Sequence, residues 1–174
     1  VEDIPLEAML AGIDWDWETF PEYLATVDRL PKALNYGAYI GHSALRMYVM
    51  GRRALDEAAT EDDLKRMRDA VRQAIKAGAM GFSSSRAGTH VTPDDTPVAS
   101  RIAQWSEIEA LVGVMAELDA GIFQIGPDVS SGPSQRAFLA QLRDLAIGTG
   151  RPTMFGTIST RQGDRPNSYR YQLD

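Results

Sequence analysis

Two histidines are the whole supply of imidazole in this sequence, and each stands among residues able to work with it. The first lies in Gly41-His42-Ser43, with Arg46 one helical turn further on. A neutral imidazole can hold a metal or move a proton near neutral pH, and a guanidinium can clamp a carboxylate through parallel hydrogen bonds. The second, His90, follows the run Ser83-Ser84-Ser85-Arg86, where hydroxyls and another guanidinium suit an oxyanion or a substrate carboxylate. His42, Arg46, Ser83, Ser85 and Arg86 are therefore the candidate substrate-binding residues. The plain alternatives are a packed histidine beside a surface arginine, and a polar junction between strand and loop. No residue is assigned as catalytic.

Other chemistries fall away on composition. A Ser-His-Asp triad can be drawn nominally from Ser83, His42 and Asp128, yet no serine sits in a G-x-S-x-G elbow. Cysteine is absent, which removes thiol nucleophiles, disulfides and cysteine-based zinc sites, and two histidines cannot make a three-histidine centre, so no metal ligand is assigned. Asp94-Asp95 reads as a solvated loop pair, and Trp15-Asp16-Trp17 as an anchor on the core. There is no G-x-G-x-x-G, no Walker loop and no internal repeat. Eighteen Lys plus Arg against twenty-four Asp plus Glu, a net charge of -6, argue against a nucleic-acid partner. No apolar stretch approaches the roughly 18 residues of a membrane span, and Val1 opens no targeting pattern, so a cytoplasmic protein without a membrane partner is expected.

The elements that must position these residues follow from periodicity. With 174 residues, 44% of them hydrophobic, the chain can bury one sizeable core, and residues 1–174 are expected to form a single segment. Phe20, Tyr23, Leu24, Val27 and Leu30 make an amphipathic helix over Glu18 to Leu30, stopped by Pro31. Thr60 caps an acidic first turn, and Leu64, Met67, Val71, Ala74 and Ile75 form a stripe closed by Gly78. Ser106 and Glu109 have capping-box spacing before the stripe Ile108 to Leu118, and Phe138 to Ala146 gives another helix. Strands are expected at Ala33 to Ile40, Ala79 to Phe82, Ile122 to Ile125 and Thr153 to Ile158, with a long surface loop over residues 87 to 104. Helix and strand alternate, so the sheet should be parallel. A doubly wound sheet and a (β/α)₈ barrel both fit, and four strands make about half of the latter. In either, chemistry belongs at the carboxyl ends, which places His42, Ser83, Asp128 and Ser159 on one side and Gly78, Gly121 and Pro152 on the other.

Several stretches add a resemblance. Val1-Glu2-Asp3-Ile4-Pro5, Gly12-Ile13-Asp14-Trp15-Asp16-Trp17-Glu18 and Phe20-Pro21-Glu22-Tyr23-Leu24 are similar to the N-acyl-D-amino-acid deacylase (D-aminoacylase) branch of the amidohydrolase superfamily. So are Gly41-His42-Ser43-Ala44-Leu45-Arg46, Tyr48-Val49-Met50-Gly51 and Ala77-Gly78-Ala79-Met80-Gly81-Phe82-Ser83-Ser84-Ser85-Arg86. The resemblance implies parallel β/α repeats forming about half of a TIM barrel, a central fragment of a longer zinc-dependent enzyme. Its substrate would be a small-molecule N-acyl amino acid, and the fragment would pack with the remainder of the barrel or with other chains. It also implies metal histidines near Gln124 to Asp128 and Gly156 to Ser159, and neither stretch contains one. The other ligands of that family would fall outside this sequence, and His42 and His90 do not stand at matching ligand positions.

Overall fold

A computed structural model describes residues 6–127 and 133–156. The elements in chain order are α1 (Leu6–Gly12), α2 (Phe20–Arg29), β1 (Tyr39–Gly41), α3 (His42–Met50), a 3₁₀ turn (Gly51–Leu55) and α4 (Glu61–Lys76). They continue with β2 (Gly81–Ser85), α5 (Ala99–Ile102), α6 (Trp105–Glu117), β3 (Ile122–Gly126), α7 (Pro133–Thr149) and β4 (Thr153–Phe155).

Local chemistry sets the helix starts. Thr60 caps α4 reciprocally, its hydroxyl accepting the Asp63 N–H while the Asp63 carboxylate accepts the Thr60 N–H. Thr19 and Glu22 do the same for α2. The apolar stripe of α4 buries Met67, Val71 and Ala74 completely against α6, whose Ile108, Leu111, Val112 and Met115 are equally enclosed.

All four strands run parallel in the order β1-β2-β3-β4. That order decides between the two architectures. Parallel crossovers are right-handed, so strands laid down side by side without reversal send every connecting helix to the same face. A doubly wound sheet instead reverses its order part-way and covers both faces. Here the sheet residues Ile40, Phe82, Phe123 and Ile125 share one core with residues of α3, α4, α6 and α7, and Phe82 stacks on Phe123 at 5.7 Å. The segment is about half of a (β/α)₈ barrel, helices outside. None of the described helices is long and apolar enough to cross a membrane.

Several boundaries differ from expectation. β1 is confined to Tyr39–Gly41, and Gly41-His42-Ser43 is not a loop after it: α3 starts at His42, because Leu45 and Val49 bury one helical face directly over the sheet. Ser83 to Ser85 lie inside β2 rather than beyond it, held by the ladder to Gln124, Ile125 and Gly126 despite the low strand propensity of serine. Glycine begins β2 because a Cβ at Gly81 would stand 1.8 Å from the Ile122 carbonyl oxygen. α6 opens at Trp105 behind Gln104 with no side-chain cap, so Ser106 falls within the first turn instead of capping it. The loop over 87 to 104 contains α5 and a bridge between Val91 and Pro97. Parallel direction gathers His42, Arg86 and Pro127 at the carboxyl ends and Gly78, Gly121 and Pro152 at the other. Asp128, Ser159 and the end of the fourth expected strand lie outside the described residues.

Candidate functional site at the carboxyl ends

Strand side chains alternate between faces, and register sorts the candidates accordingly. Ile40, Phe82, Ser84, Phe123 and Ile125 face the helices. Tyr39, Gly41, Ser83, Ser85, Gln124 and Gly126 belong to the opposite face and contribute nothing to the core that the sheet shares with the helices. Ser83 and Gln124 are register partners on that open face, both half-buried.

Behind β2, on the helix side, lies a buried polar cluster. Continuing the β1 alternation, His42 projects toward α6, its ring edge-on to Phe82 at 5.1 Å. The Ser84 hydroxyl lies 2.8 Å from Nδ1, and Nε2 is 2.7 Å from Glu107 Oε1. Arg46 Nη1 donates to Glu107 Oε2 at 2.5 Å, while Nη2 donates to the carbonyls of Ala54 and Glu57. His42 and Arg46 are fully enclosed and Glu107 nearly so. Burial pushes the imidazole below its usual pKa, outweighing the pull of Glu107. For Glu107 burial acts to raise the pKa, but the hydrogen bonds from His42 and Arg46 prevail and hold it below the usual carboxylate range. The pair is therefore a neutral imidazole donating Nε2–H to a carboxylate, with Nδ1 accepting from Ser84. Arg86 stands in the same field, its own pKa lowered by burial, and donates to the Arg101 carbonyl.

At the end of β2 the polar groups are tied differently. Ser85 Oγ lies 2.7 Å from His90 Nδ1 and accepts the Ala87 N–H at 3.1 Å. The His90 N–H reaches the Ala87 carbonyl, and Arg101 Nη1 donates to the carbonyls of Gly88 and His90. Ser100 donates to the Ser85 carbonyl and takes its own N–H to Ser43. The loop is thus fastened at its root to the carboxyl ends of β1 and β2.

A sequence model described as the Amidohydrolase family matches residues 9–152. The chain belongs to the amidohydrolase family. Its relatives include an uncharacterized protein of Mycobacterium tuberculosis, 32% identical over 147 residues, 79% of this chain and 24% of that protein. A D-aminoacylase of Alcaligenes xylosoxydans xylosoxydans is 36% identical over 80 residues, 46% of this chain and 16% of the enzyme. Among solved structures, an N-acyl-D-glutamate deacylase from Bordetella bronchiseptica, complexed with zinc and a phosphonate mimic of the tetrahedral intermediate, superposes with a TM-score of 0.65. It is 27% identical, over 84% of this chain and 28% of that one. A crystal structure of D-aminoacylase shares the fold, with a TM-score of 0.65 at 21% identity over 88% of this chain and 30% of that one. The chain thus spans about a quarter of the length of the curated relatives it first matches.

Within this amidohydrolase segment the five sequence candidates separate. Ser83 and Ser85 belong to the open face. His42 and Arg46 do not line a mouth there; both are sealed on the helix side because Glu107 draws them toward α6. Arg86 shares their side of the sheet in alternation and interacts with Glu107 and Arg46 through its charge. Sequence reading missed Glu107, although a carboxylate on the stripe shared by Leu111, Val114 and Met115 was a visible sign of a buried partner. It also missed Gln124, whose signal was its place between two apolar residues of a strand. The described residues alone do not fit a zinc ion: among them no three His, Asp or Glu side chains group closely enough to hold a metal. Both ring nitrogens of His42 are already engaged.

Proposed function

We propose that the complete protein hydrolyses the amide of a small N-acylated amino acid, the D series first, and that this segment supplies one wall of the substrate mouth. One observation carries the reading. In a segment of an amidohydrolase barrel, the half-buried Ser83 and Gln124 bring a hydroxyl and an amide to the sheet face turned away from the helical core, near the carboxyl ends, where barrel enzymes place their chemistry. The likeness to a deacylase of N-acyl-D-glutamate supports the choice of substrate class.

In this reading Ser83 and Gln124 hydrogen-bond the bound substrate, neither being engaged by another described group. His42, Arg46 and Glu107 act as positioning residues, holding Ser84 and with it the register of β2, so that Ser83 and Ser85 keep their aim. A metal would take its ligands from outside the described residues, and no step is routed through it. Elemental analysis of the complete protein, with hydrolysis assays on N-acyl-D- and N-acyl-L-amino acids, tests the reading. Amine release from neither series would refute it. A second reading, a barrel-derived binding or assembly domain without catalysis, is favoured by the lack of histidine in residues 124–128 and 156–159. Tight binding of such substrates without turnover would select it.

A further inference from the structure

His90 has no role in the proposed function above, yet its hydrogen-bond partners select the tautomer of its ring. Ser85 Oγ carries one hydrogen and already accepts the Ala87 N–H. The residue is 9% exposed, and the only described acceptor near its hydroxyl is His90 Nδ1 at 2.7 Å. Leaving a buried hydroxyl hydrogen unmated is costly, so Ser85 donates to Nδ1. The ring hydrogen of the neutral imidazole then resides on Nε2, which meets no described partner.

Position and charge say what this donor meets. A Cβ at Gly126 would lie 3.0 Å from Ser85 Oγ, so the pair stands over the carboxyl end of β3, at the rim of the open face. Arg101 is bonded to the His90 carbonyl, and Arg86 and Arg46 together outnumber Glu107 behind the sheet. The loop's acids, Asp94 and Asp95, occupy the tip beyond the bridge of Val91 to Pro97. An N–H donor on a loop whose backbone carries the Arg101 guanidinium suits an anionic oxygen.

We propose that His90 is a specificity-determining residue whose Nε2–H, held in place by Ser85, hydrogen-bonds the carboxylate of an N-acyl amino acid. This rests on the proposed function above. Two substitutions separate donor from scaffold in the complete protein. His90→Asn keeps a group near the Nδ1 position but removes the outer donor; His90→Gln restores a donor near Nε2. With N-acetyl amino acids as substrates, His90→Asn should raise KM about tenfold or more and affect KM more than kcat, and His90→Gln should recover most of the loss. With the substrate carboxylate converted to an amide, wild type and His90→Asn should converge. An equal loss on both substrates, or a KM within twofold of wild type, overturns the proposal. A ¹⁵N-histidine spectrum, assigned by its loss in His90→Asn, gives a readout independent of turnover. The Nε2–H tautomer is expected, with its nitrogen shifting as an N-acetyl amino acid is titrated in. An Nδ1–H tautomer, or no shift at saturation, overturns the proposal. Absent turnover by wild type refutes the proposed function alone, and the titration still decides the role of His90.

Discussion

Replacing Glu107 with alanine probes the buried cluster most directly. The carboxylate accepts two short hydrogen bonds, 2.7 Å from His42 Nε2 and 2.5 Å from Arg46 Nη1, and both donors are enclosed. Removing it strands the guanidinium charge. Losing one partner of a buried ion pair costs about 3–5 kcal/mol. Arg46 keeps the carbonyls of Ala54 and Glu57, which places the expected loss near the lower end, about 3 kcal/mol. The segment is about a quarter of the length of its relatives and the Tm shift per kcal/mol shrinks as chains lengthen, so the loss is best read as free energy, a fall of about 3 kcal/mol in urea unfolding of the complete protein. The double variant Arg46→Met/Glu107→Leu should recover only the part due to the stranded charge, since it still leaves His42 Nε2–H without its acceptor. A single-variant loss below about 1 kcal/mol would refute the assignment of Glu107 as the charge that holds Arg46 and His42.

Three further outcomes are expected. Acidification should destabilise the fold in two stages: unfolded His42 takes up a proton below about pH 6.5 while burial keeps the native ring neutral, so stability falls from there downward. Glu107 and Asp63, both held below their usual range in the native state, add a second loss as pH drops through about 4.3 and 3.9; an unchanged urea midpoint between pH 8 and pH 5 would contradict the first stage. Gly81→Ala should cost about 3 kcal/mol, the upper end for forcing atoms into packed space, whereas Gly113→Ala, mid-helix with nothing within 4 Å of the added carbon, should gain about 0.5–1 kcal/mol; equal effects in urea titrations would void the contrast. Ser84→Ala should lose about 1–2 kcal/mol by orphaning His42 Nδ1, while Ser83→Ala stays within about 0.5 kcal/mol and changes KM for the substrate instead.

Residues whose periodicity and caps agreed were legible in sequence. Thr60 with Asp63, and the stripe through Met67 and Val71, gave α4 its start and its buried face because both signals are local. The parallel sheet followed from alternation alone. Strand order did not, since hydrogen-bond partners far apart in sequence leave no local trace; only the register of Tyr39 with Gly81 and Gly81 with Ile122 separates barrel from doubly wound sheet. His42 and Arg46 were identifiable as chemically capable, but the partner that occupies them, Glu107, lies sixty-one residues from Arg46, and their side of the sheet follows from α3 starting at His42. Serine in β2 misled for the opposite reason: its weak strand preference is local, and the ladder to β3, joined at Ser83 by β1, overrides it.

The strictly sequential strand order also bears on how the chain acquires its shape during synthesis. Among the described strands each one after β1 docks on the one translated just before it, so this stretch of a growing chain adds each layer without waiting for a distant partner. The newest strand is always a raw, unpaired margin, competent to accept the next strand or a stray one. Vectorial growth therefore trades simple assembly for a persistent adhesive rim, and pausing within a β/α unit would prolong the exposure of that rim to neighbouring nascent chains.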